Sequence, residues 1–140
     1  MTSENLLRAG LGLLAAAAAM VGVWALFAPA SFFEDFPGSG HAWVSALPPY
    51  NEHLTRDYGS MNLAIAVVLA MGAATLSRSL VVAGLVAVLV NAVPHFVFHA
   101  LHQGTLSDGD QVANLGALAV PIVVATLLLI LQWRRLEPVD

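Results

Sequence analysis

The chain has 140 residues, 59 % of them apolar and only 10 % charged, with a formal net charge of −4 and a mean hydropathy of +0.79. A soluble domain carries about 25 % charged residues to keep its surface hydrated, so this composition predicts an exterior covered largely by lipid. The acidic balance and the absence of lysine argue against nucleic acid as a partner, and the absence of cysteine excludes disulfides, thiolate metal sites and cysteine nucleophiles.

A helical span needs roughly 20 mostly apolar residues to cross a hydrocarbon core of about 30 Å. Residues 6–28 form the first such run. Its Ala28-Pro29-Ala30 edge mimics a small-residue cleavage site, but the apolar stretch is longer than a secretory h-region, which predicts a retained span. An outer loop over 29–51 follows. There Ser31-Phe32-Phe33-Glu34-Asp35-Phe36 mixes apolar and acidic side chains and is expected to lie in the membrane interface, until Pro37-Gly38-Ser39-Gly40 breaks it. Phe32, Phe33, Phe36 and Trp43 are expected to act as interfacial anchors. Asn51 is placed to cap the second helix, with Glu52 beside the positive end of its dipole.

The second span covers 53–76 and a turn around Ser77-Arg78-Ser79 joins it to the third, 80–101, so these two are antiparallel neighbours. The fourth covers 112–133. None of these runs alternates as a barrel strand would. The expected fold class is all-α: one transmembrane domain over 1–140, built as a four-helix bundle. With the amino terminus inside, Arg8, Arg78, Arg134 and Arg135 are cytoplasmic and only Arg56 lies outside, which predicts cytoplasmic N and C termini in a multi-pass protein of the cell membrane.

Polar side chains are unevenly spread within the spans. His53, Asp57, Ser60, Asn91, His95, His99, His102, Gln111 and Asn114 all fall in the outer halves or at their margins. Ionisable groups at membrane depth cost about 2.5 kcal/mol or more unless they find partners or water, so a shared pocket facing the extracytoplasmic side is expected. At 100° per residue, Gly84, Val88, Asn91, His95, His99 and His102 occupy a stripe roughly 80° wide. His53, Asp57 and Ser60 share one roughly 60° wide on the second span. The inner part of the third-span stripe, with Gly84 and Ala87 nearby, suits close helix packing, and its outer part should open around the histidines.

The sharpest chemical expectation is a metal site. His95, His99 and His102 present three imidazoles from one helix face, and His53 with Asp57 adds a nitrogen and an oxygen ligand from the neighbouring helix, with Ser60, Asn91 and Asn114 as further polar lining. Histidine with carboxylate suits zinc, copper(II) or iron(II). The alternative is a hydrogen-bonded polar core or water-filled pocket holding a small ligand, or a proton relay through His53 and Asp57. The histidine boxes of membrane di-iron enzymes use more histidines than the five present, and a b-type haem between His53 and a third-span histidine has nothing else to support it.

The outer loop's Phe36-Pro37-Gly38, the stretch Arg56-Asp57-Tyr58-Gly59-Ser60-Met61-Asn62-Leu63-Ala64, and Pro94-His95-Phe96-Val97-Phe98-His99 resemble small DoxX-like four-helix membrane proteins of bacteria. The likeness covers essentially the whole chain with motifs of low specificity. It implies a four-helix membrane fold and a group that includes subunits of membrane oxidoreductases, and it carries over no catalytic residue. Three functions are therefore expected in competition. One is binding of a transition metal or small ligand in a redox context. The second is service as an accessory subunit of a larger membrane complex or homo-oligomer, and the third is a small membrane enzyme using the same histidines.

Overall fold

A computed structural model describes residues 2–134. Arg135, one of the arginines counted for orientation, lies outside the described residues. The described residues are all-α apart from one small hairpin: α1 (Ser3–Phe27), α2 (Pro29–Asp35), β1 (Pro37–Gly38), β2 (His41–Ala42), α3 (Glu52–Thr75), α4 (Arg78–Leu101) and α5 (Asp108–Arg134). α1, α3, α4 and α5 are each long and apolar enough to cross a membrane. They outrun the apolar stretches at most ends because polar caps extend the helical backbone past the hydrophobic run. Thr2 accepts from the Asn5 amide at the start of α1, and Asn51 accepts from the Leu54 amide at 3.1 Å at the start of α3. α3 closes on Leu76 in the left-handed conformation (φ 51°), and Ser77 leads directly into α4. α4 and α5 continue through Pro94 and Pro121.

The four long helices run alternately up and down. The most extensive packing is between α1 and α3, followed by α4 with α5 and then α3 with α4, while α1 and α5 touch lightly. The largest cluster of buried apolar side chains lies towards the end that carries the termini. It comprises Leu7, Leu11, Leu14 and Ala15 of α1, Leu69 of α3, Val81, Leu85 and Val88 of α4, and Ala125 and Leu128 of α5. Leu7, Leu11, Leu69, Val81 and Leu85 are fully buried there. Towards the loop end α1 and α3 come into backbone contact. A Cβ added to Gly59 would stand 2.5 Å from the Leu26 amide nitrogen and 2.9 Å from the Gly22 carbonyl oxygen. Small residues allow this approach, which apolar solvent alone would not drive.

Arginines fasten the ends. Arg8 reaches across from α1 and its Nη1 donates to the carbonyls of Ala73 (2.6 Å) and Ala74 (2.7 Å), in the last turn of α3 where the helix dipole is negative. Arg78 lies 4.9 Å over the Trp133 ring. At the other end Arg56 donates to the Leu26 carbonyl at the end of α1 and to Glu52 at 2.8 Å. Arg8→Met is expected to fray the last turn of α3 and cost about 1 kcal/mol, the scale of a charge at a helix terminus. Faster hydrogen exchange at the α3–α4 turn would register it, and unchanged exchange there would show that Arg8 does not hold this turn.

Candidate functional site

The end of the bundle that carries the loops is built differently from the termini end. α2 folds back so that Phe32 is buried, and Trp24, Phe32 and Phe36 form an aromatic cluster with ring centroids 4.9–6.0 Å apart. Tyr58 joins it at 6.2 Å from Phe32. Phe33 packs on Tyr50 instead, at 5.1 Å.

From Tyr58 a line of polar rings crosses the bundle. The His95 imidazole stacks on Tyr58 (centroids 5.7 Å, planes 20° apart) and meets His99 edge-on at 4.7 Å. The Asn114 amide, buried on α5, donates to His99 Nδ1 at 3.4 Å. Three helices therefore contribute to one row: Tyr58 from α3, His95 and His99 from α4, and Asn114 from α5. The contact pairs the Asn114 amide with His99 Nδ1, and the tautomer of the ring follows the orientation of that amide. His95 and His99 are neighbours because a four-residue step returns to the same helix face one turn later.

The remaining expected site residues lie elsewhere. His53 and Asp57 pair with each other (Nδ1 to Oδ2, 3.0 Å) on the outward face of α3, with side chains 82 % and 62 % exposed. Ser60, on the same stripe, is exposed and donates to the Asp57 carbonyl. The reason is the rotation of α3. Its packed face carries Gly59, Asn62, Ala66 and Leu69, roughly opposite the His53–Asp57–Ser60 stripe at 100° per residue. His102 caps α4, stacks on Phe98 at 4.6 Å and donates to the Phe98 carbonyl at 3.1 Å. The five expected ligands therefore do not converge, and among the described residues no group of three or more His, Asp or Glu side chains is placed to hold a metal ion. Asn91 is half-buried one turn below His95, and Gly84 and Val88 are buried further along, so that stripe does turn from packed to polar along its length.

A second polar assembly stands apart from the expected residues. The turn Gly38-Ser39-Gly40, all at positive φ, brings β2 back so that His41 and Trp43 reach α5. There Asp110 accepts from His41 Nδ1 at 2.6 Å, Trp43 Nε1 at 2.9 Å and Ser107 Oγ at 2.8 Å. Ser107 in turn accepts from the Asp110 amide at 3.2 Å, the first half of a capping box. Gly104, at positive φ, lies against the Ala46 carbonyl where no side chain would fit. This assembly latches the first loop to the second. The Ser107-x-x-Asp110 cap is visible in the sequence, whereas the pairing of Asp110 with His41, 69 residues away, is not.

Between α3 and α4 a groove of about 530 Å³ runs along the bundle surface. Tyr58, Asn91 and His95 are its polar lining, and Met61, Ile65, Ala87, Val90 and Pro94 its apolar lining. Comparison with models of known protein families, with curated proteins and with solved structures found no match for the chain.

Proposed function

We propose that the chain is a four-pass integral membrane protein of the cell membrane, with both termini cytoplasmic, that binds a small ligand at its outer end through His95 and His99. The observation that carries the reading is the unbroken row Tyr58–His95–His99–Asn114 across three helices. Polar groups at this depth are costly unless they have a task or a partner. The helix lengths and the placement of Arg8, Arg78 and Arg134 at the termini end support the topology. Arg56 is the exception at the loop end, and its charge is tied to Glu52 and the end of α1.

Two imidazoles with an amide and a phenol make a short ligand set for zinc, copper or iron, which take three or more protein ligands of the His and carboxylate type. An organic ligand that hydrogen-bonds His95, whose ring stacks on Tyr58 and is met edge-on by His99, fits the arrangement better. The test uses tag-free protein released gently from its native membrane. Its intact mass is expected to include a bound small molecule, with occupancy reduced about tenfold in His95→Ala, the effect of one lost hydrogen bond of about 1.4 kcal/mol. Metal analysis of the same preparation separates the chemistries. Stoichiometric zinc, copper or iron that falls in His95→Ala and His99→Ala would replace the organic ligand by a metal, and a bare wild-type protein would remove the binding function.

A further inference from the structure

The groove between α3 and α4 carries a feature that packing does not explain. Asn91 and His95, one turn apart on α4, both line it. Among the described residues neither side chain has a protein hydrogen-bond partner, although His95 makes ring contacts with Tyr58 and His99. No polar side-chain atom is sealed without a partner in the described residues, so the unpaired groups of Asn91 and His95 reach the groove and not a closed void. The rest of the lining is almost wholly apolar, with Met61 level with the two polar groups and Ile65, Ala87 and Val90 further towards the termini end.

Depth narrows the occupant. At 1.5 Å per residue, His95 lies about 9 Å and Asn91 about 15 Å below Leu101, where α4 ends. A charged lipid headgroup does not descend that far, since burying a charge in hydrocarbon costs several kcal/mol. A neutral group on an apolar body does. Asn91 offers an amide donor and acceptor, and neutral His95 one donor and one acceptor. A hydroxyl, which donates one hydrogen bond and accepts others, satisfies both residues at once.

We propose that the groove binds a lipid-soluble alcohol, entering sideways between α3 and α4, with its hydroxyl between Asn91 and His95 and its chain along Met61, Ile65 and Val90. The inference rests on the small-ligand reading of the His95 site and names the class of molecule that site takes. The volume suits such a ligand, because small-molecule sites run from about 300 to 1,000 Å³ and are mainly apolar with a few placed polar groups.

The test reconstitutes the full chain in phosphatidylcholine vesicles. It compares a long-chain alcohol carrying a photoreactive diazirine with the matched alkane that lacks the hydroxyl. The alcohol is expected to label Met61, Ile65 or Val90 about tenfold more than the alkane, the discrimination of about 1.4 kcal/mol that pairing one hydroxyl provides. That preference is expected to vanish in Asn91→Leu, a change on the half-buried groove wall, and in Asn91→Leu/His95→Phe, with the thermal midpoint of each variant reporting the fold. Equal labelling by both probes overturns the proposal and makes the groove a seat for ordinary acyl chains. So does an alcohol preference that survives both variants. If the alcohol shows no preference while native-source protein still carries a His95-dependent ligand, the ligand class and lateral route are wrong and the binding site stands. If both results are negative, the site falls as well.

Discussion

Gly59→Val is expected to destabilise the bundle by about 3 kcal/mol, at the top of the range for overpacking a close contact. The added Cβ would meet the Leu26 nitrogen at 2.5 Å, the Gly22 oxygen at 2.9 Å and the Ala25 carbonyl carbon at 3.0 Å. All three are backbone atoms, so no rotamer can make room and α1 must move away from α3. The same contact is seen from the other helix, where a Cβ on Gly22 would stand 2.9 Å from the Gly59 oxygen. Because Tyr58 precedes Gly59, a shift of α3 also disturbs the ring that supports His95. Gly12→Ala and Gly116→Ala are the controls, since nothing lies within 4 Å of a Cβ at either place. They should leave stability level or raise it by up to about 1 kcal/mol through helix propensity. Denaturation in detergent measures the difference, and a Gly59→Val protein as stable as the two controls would show that α1 and α3 do not meet as described.

The second large effect concerns the loops. Asp110→Ala removes the acceptor for His41, Trp43 and Ser107 together, and with it the latch between the two loops. The hairpin at Pro37–Ala42 is expected to come free of α5. Amide exchange at Trp43 and at Thr105, which donates to the Ala46 carbonyl, should rise roughly tenfold, as a local opening without global unfolding. Trp43 fluorescence, read with Trp24 and Trp133 replaced by Phe, should shift to the red as the indole loses its partner and meets water. Asp110→Asn should fall between, because its amide oxygen can still accept from both His41 and Trp43, without the carboxylate charge, whereas its nitrogen can no longer accept from Ser107. Unchanged exchange and emission in Asp110→Ala would contradict the latch.

How legible all this was differs between elements, for physical reasons. The four long helices are written in hydropathy, and Asn51 as the α3 cap in local chemistry, because both are short-range properties of the chain. The pairing of His95 with His99 is likewise a helical repeat and appears in the structure as ring contact. The rotation of α3 is harder to read, since that helix has two candidate faces. His53, Asp57 and Ser60 advertise chemistry, while Gly59, Asn62 and Ala66 advertise close approach, and only one stripe can face the bundle. The backbone contact with Gly22 selects the small residues, and the histidine–aspartate pair is left outside. The small-residue stripe was the signal that could have decided it, and it also brings Tyr58 to His95. The His41–Asp110 contact depends on where two loops arrive after the helices have packed, so no spacing along the chain encodes it.

The proposed ligand lies on the His95–His99 side of α4 while His53 stands at the surface of α3, and one comparison separates the two places. Ligand occupancy is measured by intact mass in tag-free protein from native-source membranes, for wild type, His99→Ala and His53→Ala. Occupancy is expected to fall about tenfold in His99→Ala and to stay at the wild-type level in His53→Ala. Equal loss in both variants would mean that the two helices share one convergent site, and retention in both would mean that the row of rings from Tyr58 to Asn114 holds no ligand.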